Sequence, residues 1–161
     1  MMRTIKLFII LFAISSAAHA SSSIYGSAFD YKKARPTSAY FSGKNRDQIT
    51  AICKSERLST MDLSACAQFR YEGAAEALNK RISEVEKILK EDDKENAQYG
   101  EPAALPFFKK AQLNWSLYRD NDCYSNTYSI GQASLRFVNF WDCMARISKN
   151  RFDELTKPND D

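Results

Sequence analysis

Four cysteines are the residues of this sequence whose spacing points most directly to a chemical role. Cys53, Cys66, Cys123 and Cys143 are separated by 12, 56 and 19 residues, so no two of them form the close pair that is typical of a zinc knuckle. Disulfides are therefore favoured over a zinc site of four thiolates. Of the three possible connectivities we prefer the sequential one, because it closes two short loops. Each bridge would stabilise the fold by roughly 3 kcal/mol.

The first 20 residues have the pattern of a secretion signal. Two basic residues precede an apolar run over residues 7–14, and Ala-His-Ala at residues 18–20 provides a small-residue cleavage site before Ser21. The apolar run is too short to span a bilayer. No cysteine stands at the cleavage point, so a lipid anchor is not predicted. We therefore expect a periplasmic or secreted protein that has lost residues 1–20 and has no membrane anchor.

Loss of the signal changes which reactions the chain can perform. His19 is the single histidine, so the mature chain has no imidazole for Ser-His or Cys-His catalysis, or for histidine-bearing zinc sites. Two of the 23 basic residues leave with the signal while all 20 acidic ones stay, which leaves a net charge of +1 and no electrostatic footprint for nucleic acid. A glycosidase needs only two carboxylates, yet Glu84 and Glu86 lie on a predicted solvated face. We predict no enzyme, no catalytic residue, no metal and no cofactor.

Three segments follow one another along the chain. Residues 1–20 are the predicted signal peptide, residues 21–46 an extended arm and residues 47–157 a helical domain. The arm is rich in serine, tyrosine and phenylalanine and is broken by glycine and proline, which disfavours a helix. Its aromatic side chains are expected to pack on the core of the domain.

The first and longest predicted helix begins at Ser59, which caps it together with Asp62. The helix leads to a solvated tip over residues 90–95 and is stopped by Gly100 and Pro102. Its apolar residues form two rows on one face, Tyr71, Leu78 and Val85 beside Ala75, Ile82 and Leu89.

Two further helices complete the predicted bundle. The second, over residues 105–122, is expected to pack antiparallel on the first through Phe108, Ala111, Trp115 and Tyr118. A polar, turn-forming stretch over residues 124–131 then leads into a third helix. That helix carries an apolar row of Phe137, Phe140, Met144, Ile147 and Leu155. The predicted fold class is all-α, a small disulfide-stapled bundle of three main helices with an extended N-terminal arm.

A run over residues 111–123 reads Ala-Gln-x-x-Trp-x-x-Tyr-Arg-Asp-x-x-Cys, and it lies among the other cysteines and Arg151. This pattern resembles the lysozyme inhibitor LprI-type domain of exported bacterial proteins, over about residues 53–156. The resemblance implies a small helical domain held by disulfides, in a family named for a member that inhibits lysozyme. Related members carry Phe-Asp-Cys where this chain has Phe-Asp-Tyr at residues 29–31, which removes one candidate partner of Cys53 and favours Cys66.

The residues that carry the resemblance are interpreted as mainly structural. The spacing of Trp115 indicates a core position, and the polar members are expected to hydrogen-bond helix ends and neighbouring turns. The set comprises Gln112, Trp115, Tyr118, Arg119, Asp120 and Arg151.

Two functions follow from these expectations. The first is a protein that binds a lysozyme-like glycosidase and blocks its cleft, where two carboxylates work, with a loop that offers hydroxyls, amides or a cation. The loop before the third helix has this composition, and Thr127, Tyr128 and Ser129 are its candidate target-binding residues. The second function is a non-catalytic structural, accessory or immunity-type interaction module of the cell envelope. In both cases the partner is a protein, lysozyme in the first.

Overall fold

The computed structural model describes residues 29–157 of the chain. The predicted signal peptide, residues 1–20, lies outside the described residues, as does the first part of the predicted arm. The chain divides into two compact units, residues 1–34 and 35–161. In the described part of the first unit, Tyr31–Lys33 forms a 3-10 turn. The Asp30 side chain caps that turn by accepting a hydrogen bond from the backbone N–H of Lys32, at 3.1 Å.

The second unit contains five α-helices. They are α1 (Thr37–Tyr40), α2 (Arg46–Ile52), α3 (Thr60–Asn96), α4 (Leu105–Ser129) and α5 (Arg136–Thr156). The three long ones, α3, α4 and α5, pack together, so the all-helical fold class is confirmed. Within residues 29–157, none of these helices combines the length and the apolar character that a membrane crossing requires.

The long helix α3 begins and ends much as its sequence predicts. The Ser59 side chain accepts from the backbone N–H of Asp62, and the Asp62 carboxylate accepts from the backbone N–H of Ser59, which forms a capping box. The two predicted apolar rows are buried or half-buried, with Leu78 the most enclosed at 2% exposed. The predicted tip remains helical as far as Asn96 and ends at Gly100, whose φ of 77° is favourable for glycine.

Contacts between the three long helices give their directions. Between α3 and α4, Glu86 lies 4.0 Å from Lys109 and Tyr71 lies under Arg119, so the two helices are antiparallel, as predicted. Between α3 and α5, residue numbers rise together, since Arg70 pairs with Asp142 and the Arg81 side chain donates to the carbonyl of Leu155. The bundle therefore runs up, down and up again.

Helix α5 contributes more buried residues than any other described helix. It packs along α3 and also against α4, and its predicted apolar row is confirmed at Phe140, Met144 and Ile147, all of which are buried. Trp141 adds a contact that the row did not include, with its ring 5.4 Å from that of Tyr71. Burial of these large side chains on a helix with polar residues opposite is the main apolar contribution to the fold.

Helix α4 is longer than predicted and faces the core differently. It continues to Ser129, so the prediction of a polar loop over residues 124–131 is wrong for the first six residues. The hydroxyl of Thr127 donates to the carbonyl of Cys123 at 2.7 Å, and the rings of Tyr124 and Tyr128 stack at 5.9 Å. Packing at the buried Thr127 and the Cys123–Cys143 bond to α5 keep this stretch helical despite the low helix propensity of Ser, Asn, Thr and Tyr.

Both preferred disulfides are present, Cys53–Cys66 and Cys123–Cys143. The first joins the end of α2 to the second turn of α3, and the second joins α4 to α5. Cys66 lies in a separate small core with Phe41, Ile49 and Ala65. The sequence places it away from the main apolar rows of α3, and this second cluster is the reason that the position is buried.

The described part of the predicted arm is less extended than expected. Residues 37–40 form the short helix α1, which is held against α3 because both the backbone N–H and the hydroxyl of Thr37 donate to the Glu72 carboxylate. Gln68 adds a hydrogen bond of 2.7 Å to the carbonyl of Arg35. Glu72 and Gln68 thus hydrogen-bond to a backbone N–H and a backbone carbonyl of this segment. In an arm that did not pack on the domain, water would have to satisfy these groups.

Candidate functional site

The polar residues of the 111–123 run form a buried network between the helices. The Arg119 guanidinium donates to the Asp120 carboxylate at 2.7 and 3.1 Å and to the Ser148 hydroxyl at 3.3 Å. The same guanidinium lies over the ring of Trp115, 5.1 Å from its centroid, and over that of Tyr71 on α3, at 5.7 Å. Arg119 therefore connects α4 with both α3 and α5. This arrangement supports the structural role that the sequence suggests for it and for Asp120.

Gln112 and Arg151 make a second link between α4 and α5. The Arg151 side chain donates to the Gln112 amide oxygen at 3.2 Å and to the Glu154 carboxylate at 2.9 Å. The Gln112 amide nitrogen is buried and has no hydrogen-bond partner among the described residues. Exchanging the positions of the amide oxygen and nitrogen would not solve this, because the oxygen has to face the donating Arg151 side chain. The amide nitrogen therefore stays without a partner among the described residues.

Tyr118 and Ala111 do not pack as predicted. Tyr118 is 60% exposed and Ala111 is also exposed, while Trp115 and Phe108 are only half-buried. The buried face of α4 is instead made by Gln112, Arg119, Cys123 and Thr127. The apolar spacing indicated the wrong face because the side of α4 that meets α5 is largely polar.

The candidate target-binding residues lie in the last turns of α4. Thr127 is 1% exposed, so its hydroxyl is not available to a partner. The Ser129 hydroxyl donates to the carbonyl of Asn126 at 2.9 Å, and the exposed Tyr128 ring stacks on Tyr124. Only Tyr128 and Ser129 of the three present surface to solvent, and they do so from a helix.

The outward side of α4 carries an exposed apolar face, which we call the α4 face. Leu113 and Leu117 lie one helical turn apart and are 60% and 51% exposed, and Tyr128 continues the same row. Phe107 and Tyr118 lie beside it and are also exposed. Exposed apolar side chains gathered on one helix are typical of an interaction surface.

A cavity of about 640 Å³ opens between α1 and the first turns of α3 and α5. Arg35 is the charged residue that lines it; Tyr40 and Ser64 contribute hydroxyls, and Met61 and Phe137 form apolar walls. The groups that line it can form hydrogen bonds and apolar contacts with a ligand.

Beside this cavity, Tyr40 and Ser59 hold the Asp62 carboxylate. Their hydroxyls donate to it at 2.8 and 2.6 Å. The hydrogen bond from the Ser59 side chain, followed by that from Tyr40, lowers the pKa of Asp62 below its ordinary value of 3.8. The same contact raises the pKa of Tyr40 above 10.0, because its phenol donates to a negatively charged acceptor. These bonds fix the junction between α1 and the start of α3.

The segment between α2 and α3 is short, exposed and bounded by a disulfide. We call residues 54–58 the cationic loop. Lys54, Ser55, Glu56 and Arg57 are exposed, whereas Leu58 turns inward and packs on the small core around Cys66. The sequence analysis did not identify this segment as a candidate binding site. A signal for it was present, since the cysteines at residues 53 and 66 enclose a helix cap and so predict a short connection held by a disulfide.

Metal-ligating residue types meet at one place in the described part of the chain. Asp122 lies next to Cys123 and Cys143, with the three potential ligand atoms within 4.8 Å of one another. The two sulfur atoms are bonded to each other, and a disulfide does not supply the thiolates that metals bind. We therefore interpret this cluster as the Cys123–Cys143 disulfide with the Asp122 carboxylate beside it, and not as a metal site.

Comparison with known proteins identifies the family. A sequence model of the family described as lysozyme inhibitor LprI matches residues 53–155. An uncharacterized protein of Rhizobium meliloti (strain 1021) is 32% identical over 115 residues, which cover 69% of this chain and 81% of that protein. No solved structure matches. Because the family match spans more than half of the chain and includes all four cysteines and the 111–123 run, this chain belongs to the lysozyme inhibitor LprI family.

Proposed function

We propose that this protein is an exported, non-catalytic inhibitor of lysozyme-type cell-wall glycosidases. Family membership carries the proposal, since the matched region, residues 53–155, takes in all of α3 and α4 and nearly all of α5. The family is described as one of inhibitors. The buried motif network explains how the helices are held together and leaves inhibition to the exposed surface.

The disulfides support export to an oxidising compartment. All four cysteines of the chain are paired, as Cys53–Cys66 and Cys123–Cys143. Such bridges form and persist in the periplasm and outside the cell, and they are rare in the reducing cytosol. The predicted signal over residues 1–20 agrees with a periplasmic or secreted protein.

A rigid binding protein suits the physical task of inhibition. To compete with a polysaccharide, an inhibitor must cover the cleft in which two carboxylates act on the glycosidic bond. A surface that is fixed before binding loses less conformational entropy in the complex. The two disulfides and the buried network of Arg119 give this small bundle that rigidity.

The test is a lysis assay. Oxidised, purified protein at micromolar concentration is expected to slow the clearing of a cell-wall suspension by lysozyme, and to clear no cell wall itself. Protein reduced and alkylated beforehand serves as a control and is expected to inhibit less. Undiminished lysis across lysozymes of several structural types would contradict the proposal.

A second function, an accessory or immunity-type envelope module, is favoured by the α4 face. Beside its leucines, Phe107, Tyr118 and Tyr128 are exposed, and aromatic residues are enriched at protein interfaces. This role predicts a stable complex with another exported protein and no effect on lysis. The same assay therefore separates the two functions.

A further inference from the structure

The cationic loop is an exposed connection that is held by contacts at both ends. On its N-terminal side, Cys53 is bonded to Cys66, and the N–H groups of Lys54 and Ser55 donate to the carbonyls of Ala51 and Ile52 at 3.2 and 3.0 Å. These bonds continue the last turn of α2 into the loop.

The C-terminal side of the loop is held by different contacts. Leu58 packs on the small core of Phe41, Ile49, Ala65 and Cys66. Ser59 follows at once as the cap of α3. Within the loop, the backbone N–H of Arg57 donates to the Ser55 hydroxyl at 3.3 Å. The four exposed residues therefore lie between two anchored ends.

The charges of the loop are available to a partner. Among residues 35–157, the structure gives neither Lys54 nor Arg57 an ion pair or a hydrogen bond from its side chain. By contrast, Arg46 and Arg70, also near this end of α3, are occupied by Glu76 and Asp142. An exposed cation whose side chain pairs with none of the described residues can meet an anionic partner without first breaking a bond to them.

We propose that the cationic loop enters the substrate cleft of the inhibited glycosidase and that the Arg57 guanidinium pairs with a carboxylate there. This inference rests on the proposed function. An exposed loop of residues 54–58 is small enough to enter a cleft, and its cations complement the two carboxylates that such a cleft contains. The guanidinium forms a fork of N–H donors that matches a carboxylate in two parallel hydrogen bonds. The cationic loop therefore provides both an exposed segment that can reach the cleft and the positive charge that can pair with a carboxylate in it.

Glu56 gives the proposal a distinctive consequence. This exposed carboxylate lies between the two cations in sequence, and near the carboxylates of a cleft it would be repelled. Glu56→Gln is expected to strengthen inhibition several-fold. A loop that served only to connect α2 with α3 would give no such gain.

The experiment measures the inhibition constant of the full-length oxidised protein and its variants against purified lysozyme with a cell-wall substrate. Wild-type protein is expected to compete with substrate, and Arg57→Gln to raise the inhibition constant about 100-fold, as is common when one partner of an interfacial charge pair is removed. Lys110→Gln is the matched control, because Lys110 is an exposed lysine on α4 far along the chain, and it should leave the constant unchanged. Thermal unfolding of each variant verifies that the fold is intact.

The outcomes separate this inference from the proposed function. Inhibition by wild type that is non-competitive, or that survives in both Arg57→Gln and Lys54→Gln, overturns the role of the loop and leaves the inhibitor function standing. Absence of inhibition by wild type overturns the function, and the inference falls with it. Selective loss in the loop variants, together with a gain in Glu56→Gln, supports both.

Discussion

The Arg119 guanidinium and the Asp120 carboxylate lie 2.7 Å apart although the two residues are adjacent in sequence, and their side chains are only 10% and 13% exposed. Neighbouring residues on a helix point in directions about 100° apart, so the long arginine side chain has to fold back to reach its partner. It does so over the rings of Trp115 and Tyr71, which its guanidinium contacts. A buried charge is thus neutralised within one turn of α4.

Removal of either charge from this pair should destabilise the fold strongly. Asp120→Ala leaves a buried guanidinium without its anion, for which a loss of about 3–5 kcal/mol is expected. The double variant Arg119→Met/Asp120→Ala is expected to recover part of that loss, since no uncompensated charge remains. Urea unfolding measures both.

The exposed pair Arg70 and Asp142 is the control for this prediction. Its side chains are 51% and 47% exposed, and Arg70→Ala should cost no more than about 1 kcal/mol because solvent screens the charges. Equal losses for Asp120→Ala and Arg70→Ala would show that burial of the Arg119 pair is energetically unimportant.

The first disulfide should matter for stability even though it encloses few residues. Cys53 and Cys66 are 13 positions apart, and the double variant Cys53→Ser/Cys66→Ser is expected to lose about 3 kcal/mol through greater freedom of the unfolded chain. Denaturant unfolding with and without reductant provides the measurement. Reductant should lower the stability of wild type more than that of the variant, and an equal effect on both would contradict the prediction.

The sequence was informative where a feature depends on residues close along the chain. The capping box of Ser59 and Asp62 and the apolar rows that include Leu78 were predicted correctly, because helix caps and helical periodicity are local. The resemblance over residues 53–156 and the disulfide pairing were confirmed as well. These features are enough to predict the all-helical fold.

The buried face and the end of α4 could not be read from local patterns. Gln112 and Arg119 are buried because Arg151 and Ser148, some 30 to 40 positions later, supply their hydrogen bonds. Apolar periodicity does not detect a polar core face, so it indicated a side of α4 that is turned roughly 90° away from the buried one. The candidate binding residues around Thr127 were misplaced for the same reason, since tertiary packing keeps that polar stretch helical.

A glycine inside α3 offers a stabilising substitution. Gly73 lies in the helix interior, where alanine is favoured by up to about 1 kcal/mol. An added Cβ would lie 2.7 Å from the end of the Arg46 side chain, which is flexible and 65% exposed. We expect Gly73→Ala to stabilise the protein by about 0.5 kcal/mol, which is the propensity gain less the cost of moving Arg46.

A double-mutant cycle tests this explanation. In an Arg46→Ala background the obstruction is absent, and Gly73→Ala should then gain closer to the full 1 kcal/mol. Thermal or urea unfolding of the four proteins gives both values. A smaller gain in that background than in wild type would mean that Arg46 is not what limits the substitution.

The hydrogen bonds to Asp62 predict acid sensitivity at the start of α3. Its pKa is lowered in the folded protein, chiefly by the Ser59 hydroxyl and then by Tyr40, so the folded state binds this proton less tightly than the unfolded chain does. The contribution to stability is therefore complete above the ordinary value of 3.8 and is lost as the pH falls through the lowered pKa. Asp62→Asn should flatten this part of the profile of unfolding free energy against pH.

The comparison for Asp62 is another aspartate of the same helix. Asp92 is exposed near the far end of α3, and Asp92→Asn should preserve the decline in stability below pH 4. Unfolding is followed in urea at several pH values between 2 and 6. Identical profiles for Asp62→Asn and wild type would rule out the hydrogen-bonded carboxylate as a source of acid sensitivity.

The α4 face allows a test of which surface an inhibited enzyme contacts. Leu113 and Leu117 are more than half exposed, so the double variant Leu113→Gln/Leu117→Gln removes apolar surface that is already in water and should change the unfolding free energy by less than about 1 kcal/mol. Because the cationic loop and this face lie on different elements, the inhibition constant should also stay within about twofold of wild type. A large rise in that constant, with stability preserved, would instead place the contact with the enzyme on α4, since the buried core of an interface is more apolar than its rim.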